Sequence, residues 1–425
     1  MQILLKNARI LTMIKGEEIF FGNLLVENER IKLISKEPIN GAFDSIIECN
    51  GNLIMPGFKN AHTHSAMSFS RSISDDVPLQ KWLNDVIFPM EAKLNNDDLY
   101  HLSKVSILEY LTSGITSCFD MYYEPQTFAK ACKDMGFRAV LLGTVTKFRE
   151  SVEEMKEAYK TINSEENSLV TYQLGFHAEY TATEEILLEL SKAAHELECP
   201  IFTHSSESKG EVEGCLERHG LTPTEYMDKL GLFDYGGGAF HCVYFSERDI
   251  EIFKRRGLSI VTNPGSNSKL ASGIAPIDRY MKEGINLAIG TDGAGSNNGL
   301  DFFYEMRLAC VLQKLLNNDA SSGQALDILR AATVGGAKAM RLNDCDVLQE
   351  GKLADIIMID LMRPNMQPLN NIAKNLVYSG AKDVIKMTMI NGQIRYMDGK
   401  FFVNEPIEEI YAKAQEITDN LRKIS

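Results

Sequence analysis

Two histidines, His62 and His64, lie one residue apart in the segment PGFKNAHTHSAMS, which begins at residue 56. In an extended strand, side chains at positions i and i+2 point to the same side, so both imidazoles would face one point. Two imidazoles that converge in this way can bind a transition metal. They can also simply pair with neighbouring carbonyl groups, and the motif alone leaves both interpretations open.

The middle of the chain alternates between short apolar segments and longer segments with helical spacing, such as EEILLELSKAAHELEC. Eight parallel strands with intervening helices form a (β/α)8 barrel of the TIM type, whose active site lies at the carboxyl ends of the strands. We therefore predict an α/β fold built on such a barrel. The eight predicted strands are GFKNAHTH, ITSCFDM, FRAVLLGTV, TYQLGFHAE, PIFTHSSE, GAFHCV, LSIVTNP and LAIGTDG.

Polar side chains occur near the ends of six of these predicted strands. Because the carboxyl ends of barrel strands meet at one mouth, these side chains would converge on one cavity. Five of the eight histidines belong to this set, which a random distribution would rarely produce. The set is His62 and His64 on the first strand, His177 and Glu179 on the fourth, His204 and Glu207 on the fifth, His241 on the sixth, Asn263 on the seventh and Asp292 on the eighth.

Four members of this set have the chemistry of a ligand group for a divalent metal. The imidazoles of His62, His64 and His204 and the carboxylate of Asp292 would supply three nitrogens and one oxygen, with room for a water molecule. A metal in this position would lower the pKa of that water to near neutrality.

Two further residues of the set could handle protons. His241 is placed to take or hold a proton, and Glu207 lies just past its strand, where it could carry protons to a substrate. Each residue also has a purely structural explanation. Asp292 could form a turn or cap a helix, His241 could be a core histidine, and Glu207 could be a solvated residue that opens a helix. Their combination on one barrel rim favours the metal site.

The residue patterns at both ends of the chain predict β-strands. Segments such as ILLKNARILTM near the start and VIKMTMINGQIRYMDGKFF near the end are strand-like and bounded by turn residues. We predict a small β-sandwich domain built from residues 1–57 and 346–403, with the metal-dependent barrel over residues 58–345. Residues 404–425 have the apolar spacing of a C-terminal amphipathic helix.

The composition excludes some classes of partner. The formal net charge of −14 argues against binding to nucleic acid or to an anionic membrane. Eight cysteines are scattered without a CxxC pair, mostly in apolar runs, which is typical of free thiols in a reducing compartment. The start of the chain lacks a signal peptide, and no apolar run is long enough to span a membrane. We predict a cytoplasmic protein.

Several motifs of the chain together resemble the amidohydrolase superfamily, in its branch of deaminases with a single metal ion. They are PGFKNAHTH, THSSE, HCV and GTDGAGSNN. Their order and spacing match across nearly the whole chain, including the split β domain. Further stretches, among them SDDVPLQKWLNDVIFPMEAKL, NPGSNSKLASGIAP and FFYEMRLACVLQK, resemble the deaminases of 5-methylthioadenosine and S-adenosylhomocysteine within that branch.

This resemblance implies roles for the residues at the barrel mouth. His62, His64, His204 and Asp292 match the metal ligands of the family. Glu207 matches the residue that protonates the ring nitrogen of the substrate and then the leaving ammonia. His241 matches the residue that orients or deprotonates the reactive water, with Asp292 as its partner base.

The resemblance also implies contacts with the substrate. Glu91 matches a carboxylate that binds ribose hydroxyls, and His177 matches a substrate-contacting histidine. Glu91 read without the family is equally consistent with a carboxylate on a helix surface. The third strand departs from the family, since Gly143 stands where an arginine contacts the substrate. A second family arginine is matched here with Arg149, across a loop of different length. The preferred 5′ substituent therefore stays open.

The activity that the resemblance implies is hydrolytic deamination of the adenine ring of a purine nucleoside: 5-methylthioadenosine, S-adenosylhomocysteine, 5′-deoxyadenosine or adenosine. Relatives with the same metal residues act instead on guanine, a pterin or a triazine, and a non-catalytic scaffold of the same fold is a third alternative. The ligand group suits Zn²⁺, and Fe²⁺ or Mn²⁺ could also fill it. The resemblance further implies a homo-oligomer.

Overall fold

The computed structural model describes residues 1–73, 75–166 and 168–424. Within these residues the strands are β1 (Gln2–Ile10), β2 (Phe20–Glu27), β3 (Arg30–Ser35), β4 (Ser45–Glu48), β5 (Leu53–Pro56), β6 (Phe58–Thr63), β7 (Ile115–Met121), β8 (Arg138–Leu142), β9 (Val170–Ala178), β10 (Ile201–Ser205), β11 (Gly237–His241), β12 (Ser259–Thr262), β13 (Asn286–Ile289), β14 (Ile356–Ile359), β15 (Ile385–Ile390), β16 (Gln393–Met397) and β17 (Lys400–Phe401).

The α-helices of the described residues separate these strands. They are α1 (Leu79–Trp82), α2 (Phe88–Glu91), α3 (Asn96–Thr112), α4 (Pro125–Met135), α5 (Val152–Asn163), α6 (Glu184–Leu197), α7 (Lys209–His219), α8 (Pro223–Lys229), α9 (Glu247–Arg256), α10 (Pro264–Lys269), α11 (Ile277–Lys282), α12 (Phe302–Asn317), α13 (Ala325–Arg330), α14 (Gly336–Ala339), α15 (Ile372–Tyr378) and α16 (Ile407–Ile424). Among the described residues, no helix combines the length and the apolar character needed to cross a membrane.

Strands β6 to β13 form one parallel sheet in sequential order. The backbone N–H of Asp292, just after β13, donates to the carbonyl oxygen of His62 in β6 at 3.0 Å, which brings the last strand against the first. Each of the eight predicted barrel segments overlaps one of these strands. The predicted (β/α)8 barrel is therefore confirmed.

The barrel strands read as continuous apolar runs because they are buried on both faces. All seven residues of β7 are buried. Phe119 and Met121 join the same apolar cluster as Phe240, whereas Cys118, which precedes Phe119, packs in a separate cluster with residues of the helices. The ring of Phe240 stacks on the imidazole of His62, with ring centroids 3.9 Å apart. The barrel core therefore ends directly against the first predicted metal ligand.

Side-chain caps fix the starts of several helices close to the ends of the strands. Ser208 caps α7 by accepting a hydrogen bond from the backbone N–H of Glu211 at 3.3 Å. Ser246 and Asp249 form a reciprocal capping box at the start of α9. Because these caps satisfy backbone donors that the first turn leaves unpaired, the chain can turn from strand into helix within a few residues.

The remaining nine strands form one hydrogen-bonded sheet from both ends of the chain, as predicted. Strand β5 from the N-terminal part pairs antiparallel with β14 from the C-terminal part, and β4 pairs with β1. Ile10, Leu24, Ile54, Met358 and Met389 belong to its apolar core. The predicted domain limits at residues 57, 346 and 403 stay a prediction.

The C-terminal helix α16 packs near the barrel mouth. Ile417 and Leu421 on this helix share an apolar cluster with Leu102 of α3 and with Met67 and Trp82. The final helix therefore contributes to the packing beneath residues that line the cavity described below.

A buried ion pair joins the start of β8 to the start of β14. The guanidinium of Arg138 donates to both oxygens of Asp355, at 2.6 and 3.0 Å, and the side chain of Asp355 is fully buried. Asp355 also accepts a hydrogen bond from the backbone N–H of Asn391 at 2.8 Å. The pair thus connects the barrel with two strands of the terminal sheet.

We expect Arg138→Leu to lower the apparent free energy of unfolding by about 3–5 kcal/mol, because it leaves a buried carboxylate without its partner. Urea unfolding followed by circular dichroism measures this. Lys130→Met is the control, since it breaks the exposed Lys130–Asp134 pair and should cost less than about 1 kcal/mol. Equal costs for the two variants would contradict the prediction.

Candidate active site and metal centre

The four predicted metal ligands come together at the carboxyl ends of the barrel strands. The Nε2 atoms of His62 and His204 lie 3.1 Å apart. Oδ1 of Asp292 lies 3.2 Å from Nε2 of His64 and 3.7 Å from Nε2 of His62. The sequence placed these residues on three different strands, and the barrel brings them to one point.

Backbone carbonyls set the orientation of two of these imidazoles. Nδ1 of His64 lies 2.6 Å from the carbonyl oxygen of Met121, and Nδ1 of His204 lies 2.7 Å from that of His177. A carbonyl oxygen can only accept, so Nδ1 of each ring carries the hydrogen. In the neutral ring, Nε2 then presents a lone pair, as metal-ligating histidines do.

The charges and lone pairs of the group fit a bound cation. Burial, followed by the neighbouring imidazoles, holds the pKa of His62 and of His204 well below the usual range, so both rings are neutral. Burial also acts to lower the pKa of His64, but the hydrogen bond and charge of Asp292 raise it to about 9. A proton on His64 satisfies only the interaction between His64 and Asp292. A divalent metal in its place would satisfy the lone pairs of His62 and His204 as well, so the donor set fits a metal ion.

Asp292 is held as an acceptor by its own neighbours. The hydroxyl of Ser266 donates to Oδ2 at 2.6 Å, and the backbone N–H of Gly293 donates to Oδ1 at 2.8 Å. Burial acts to raise the pKa of Asp292, but His64 keeps this pKa well below its ordinary value. The carboxylate is therefore ionised and oriented toward the histidines.

His241 lies against the same group. A second set of possible ligand atoms, from His62, His204 and His241, lies within 4.8 Å of one another. Nε2 of His241 is 4.0 Å from Oδ2 of Asp292. Its Nδ1 lies 2.7 Å from Oδ1 of Asn267, so an Nδ1–H donated to that oxygen leaves Nε2 as the basic nitrogen facing the site.

Glu207 lies on the other side of His241, with Oε1 3.9 Å from Nδ1 of that ring. The hydroxyl of Ser272 donates to Glu207 Oε1 at 3.2 Å. The backbone N–H groups of Ser206 and Glu207 both donate to the carboxylate of Glu211, at 2.8 Å each. Burial raises the pKa of Glu211 to about 7. A buried carboxylate thus fixes the backbone that carries Glu207.

Three residues at the mouth adopt left-handed backbone conformations that are uncommon outside glycine. The φ angles are 54° at Ser206, 70° at His241 and 60° at Asp292. Such strained residues persist where surrounding contacts fix them, and they cluster at functional sites. Here they lie at the carboxyl ends of three barrel strands, in or beside the residues that face the site.

A cavity of about 460 Å³ opens from this group. Glu91, His177 and Arg149, the three residues that the family resemblance assigned to the substrate, all line it. Oε1 of Glu91 accepts a hydrogen bond from the hydroxyl of Tyr122 at 2.6 Å, and burial raises the pKa of Glu91. The guanidinium of Arg149 lies 4.4 Å from the ring centroid of Tyr123. Glu91 therefore faces the cavity.

The apolar part of the cavity is formed by the segment between β6 and α3. It is lined there by Met67, Trp82, Leu83, Ile87 and Phe88. This combination of an apolar wall with a few convergent polar groups is typical of sites for small organic ligands.

Position 143 cannot carry a side chain that faces this cavity. A Cβ atom at Gly143 would lie 2.7 Å from the carbonyl oxygen of Gly175 and from the sulfur of Met155. Thr144 and Thr146 from the same segment line the cavity instead. Position 143, which the sequence matches with a family arginine, therefore has no room for a side chain that contacts the substrate.

Besides the fully buried His62, two residues of the predicted set do not line the cavity. Glu179 is 2% exposed and pairs with Arg218 at 2.5 Å and with His219 at 3.2 Å. Asn263 is fully buried where α10 begins. Glu179 and Asn263 therefore belong to the buried structure around the mouth of the barrel.

Four supporting residues escaped the sequence interpretation. Three of them, Ser266, Asn267 and Glu305, have a partner distant in sequence, whereas the partners of Glu211 lie four and five residues away. Ser266 and Asn267 lie in the NPGSN segment, which carried the resemblance without assigned roles. Glu211 and Glu305 interrupt helix faces that are otherwise buried, and a charge in an apolar helix face is the signal that could have found them.

The sequence model of the Amidohydrolase family matches residues 53–395. The chain belongs to the amidohydrolase family. The resemblance inferred from the motifs is therefore confirmed, over a region that contains the whole barrel and part of the terminal sheet.

This amidohydrolase is similar to several proteins named as deaminases over nearly its full length. It is 36% identical over 428 residues to a 5-methylthioadenosine/S-adenosylhomocysteine deaminase of Caldanaerobacter subterraneus subsp. tengcongensis, with 99% of each chain covered. It is 38% identical over 410 residues to a 5′-deoxyadenosine deaminase of Methanocaldococcus jannaschii, covering 94% of this chain and 96% of that one. A solved adenosine deaminase of Xanthomonas campestris with bound zinc has a TM-score of 0.93 at 29% identity, covering 99% of this chain and 98% of that one.

We expect His204→Ala to abolish stoichiometric metal binding, because it removes one nitrogen from the ligand group and leaves the neighbouring imidazole of His62 without its partner. Metal content of the purified protein, measured by inductively coupled plasma mass spectrometry, checks this. His195→Ala is the matched control, since His195 is half exposed on α6, where it contacts Ser191 and Asp234 away from the cavity. A full metal load in His204→Ala would refute the assignment.

Proposed function

We propose that this amidohydrolase deaminates the adenine ring of adenosine-type nucleosides by hydrolysis, with a divalent metal held by His62, His64, His204 and Asp292. The observation that carries the proposal is that His64, His204 and Asp292 line one cavity together with Glu207 and Glu91, while the buried His62 lies against His204 and Asp292. The names of the relatives at 36–38% identity support the nucleoside class.

The reaction exchanges an amino group for an oxygen. The oxygen of a water molecule forms a bond to the ring carbon that bears the exocyclic amine, and the bond from that carbon to the amine breaks. One water is consumed, ammonia leaves, and the inosine analogue remains. A metal ion bound by the ligand group would lower the pKa of the reacting water.

Glu207 is proposed to supply the proton that the ring needs. Attack at the ring carbon places negative charge on the adjacent ring nitrogen unless that nitrogen is protonated. The carboxyl of Glu207 lines the cavity beside His241 and is oriented by the hydroxyl of Ser272. It can donate a proton to the ring nitrogen and later pass one to the departing amine.

His241 and Asp292 are proposed to receive the proton of the attacking water. Asn267 accepts the Nδ1–H of His241, so the basic Nε2 faces Asp292 at 4.0 Å. A ring held in this tautomer can act as a base without turning. Burial keeps bulk water away from both groups, which strengthens their interaction.

The remainder of the substrate is proposed to lie along the cavity from the metal group to Glu91. A carboxylate in this position can accept hydrogen bonds from the two ribose hydroxyls, and His177 lies beside His204 with ring centroids 4.9 Å apart. Arg149 lines the cavity on the side of Tyr123. Guanine, pterins and triazines lack ribose and would not use Glu91 in this way.

Three further assignments are proposals of the same kind. Zn²⁺ is the metal that three imidazoles and one carboxylate suit best, with Fe²⁺ and Mn²⁺ as alternatives. The eight free, buried cysteines support a reducing, cytoplasmic compartment. A homo-oligomer follows from the family resemblance and is tested by light scattering.

We expect Glu207→Gln to lower kcat by about 10²–10⁴-fold with metal still bound, because the variant keeps the shape of the side chain and removes its proton. Ammonia release and metal content, measured on the same preparation, check this. Glu213→Gln is the control, since Glu213 is exposed on α7, two residues after Glu211. A kcat close to that of the unmodified protein would exclude Glu207 as the proton donor.

The substrate class is tested by ammonia release from zinc-loaded protein with adenosine, 5′-deoxyadenosine, 5-methylthioadenosine, S-adenosylhomocysteine and guanine. We expect turnover of the nucleosides and none of guanine, and Glu91→Gln should raise KM for the nucleosides. The ranking of the nucleosides identifies the preferred 5′ group. Silence on every nucleoside with a full metal load would refute the adenine proposal and direct the search to guanine, pterins and triazines.

A further inference from the structure

A fully buried carboxylate, Glu305, lies on α12 behind the metal ligand group. Its Oε2 accepts a hydrogen bond from the backbone N–H of Gly265 at 2.9 Å. Its Oε1 accepts one from the side-chain amide of Asn297 at 2.7 Å. Burying a carboxyl group is costly unless such bonds compensate, so the position of Glu305 in the core needs a physical reason.

The first contact of Glu305 fixes the start of α10. Gly265 is followed directly by Ser266, whose hydroxyl donates to Asp292 at 2.6 Å, and by Asn267, which accepts from His241 at 2.7 Å. The orientation of two residues that touch the reacting groups therefore depends on how the first turn of this short helix is held.

The second contact of Glu305 fixes the loop after β13. The amide of Asn297 that donates to Glu305 also donates to the carbonyl of Thr291 at 2.7 Å, and the backbone N–H of Asn297 donates to the carbonyl of Gly293 at 3.0 Å. Thr291 and Gly293 flank Asp292. One carboxylate thus braces both segments that meet at the metal ligand.

The packing at this point is close. A Cβ atom at Gly265 would lie 2.3 Å from Oε1 of Glu305 and 2.5 Å from Oδ1 of Asn297. Neither distance is compatible with a side chain at position 265, so the glycine is what allows the carboxylate to reach the backbone.

We propose that Glu305 is a positioning residue for the deamination reaction, which holds Ser266 and Asn267 against Asp292 and His241. This inference rests on the proposed function for its kinetic effect. Its effect on metal affinity follows from the contact between Ser266 and Asp292 and does not depend on the substrate.

Replacement of Glu305 removes both acceptors at once. In Glu305→Leu the N–H of Gly265 and the amide of Asn297 lose the acceptor that they share, so α10 and the loop after β13 can move independently. Outer-shell contacts of this kind are worth about 10–100-fold in metal affinity or activity. Glutamine keeps the length of the side chain and one acceptor oxygen, so Glu305→Gln should recover a large part of the loss.

The chain offers a matched control on the same helix. Gln313 is 2% exposed on α12, accepts from the backbone N–H of Asp278 at 3.1 Å and donates to the carbonyl of Ala275 at 2.9 Å. Gln313→Leu therefore removes a buried pair of hydrogen bonds from α12 that lead to a different loop.

The test compares Glu305→Leu, Glu305→Gln and Gln313→Leu with the unmodified protein, using zinc affinity from competition with a chelator and kcat and KM for the best nucleoside. We expect Glu305→Leu to lower zinc affinity and kcat by about tenfold or more each, with KM within about threefold. We expect Glu305→Gln to restore at least half of the effect on a logarithmic scale, and Gln313→Leu to change neither quantity by more than about twofold.

Two results would overturn the proposal. One is a folded Glu305→Leu protein with unchanged zinc affinity and kcat, and the other is an equal loss in Gln313→Leu. Where Glu305→Leu gives no folded protein, Gly265→Ala displaces the carboxylate while keeping Glu305, and unchanged values there count equally against it. If the unmodified protein deaminates no nucleoside, the proposed function fails, and the zinc affinities still decide the role of Glu305.

Discussion

An excess of hydrogen-bond acceptors at one point governs the architecture of this site. The neutral ring of His62 lies 3.1 Å from that of His204 and 3.7 Å from the ionised carboxylate of Asp292, and all three side chains are buried. Such a group is unstable by itself, because a buried charge and lone pairs must be compensated. A bound cation would resolve this conflict, and until one binds the protein itself would have to hold these side chains in place.

The structure holds them by several independent means. Backbone carbonyls of neighbouring strands orient His64 and His204, and the ring of Phe240 supports His62 from the barrel core. Left-handed backbone at His241 and Asp292 lies at the ends of their strands. Rigid strands and packed rings keep these side chains and backbone conformations in place. The packing of the barrel therefore offsets the cost of the backbone strain and of the acceptors held close together.

Buried acidic side chains also hold the segments that connect strands to helices. Glu211 accepts the backbone N–H groups of Ser206 and Glu207, and Glu305 accepts that of Gly265. In each case the carboxylate lies on a helix and holds the segment after a different strand end. The apolar side of the mouth depends in turn on the last helix of the chain, because Ile417 packs in the same cluster as Trp82.

The sequence by itself determined the barrel and the identity of its polar rim. Strands buried on both faces leave long apolar runs, and alternate residues such as His62 and His64 must share a face, so local patterns were sufficient for these features. Only the tertiary structure decided which rim residues face the cavity. Glu179 pairs with Arg218 and turns away, whereas Glu91 reaches the cavity from a helix outside the barrel. The supporting contacts of Glu305 join residues far apart in the chain, and no local pattern records a contact that forms only when the barrel closes.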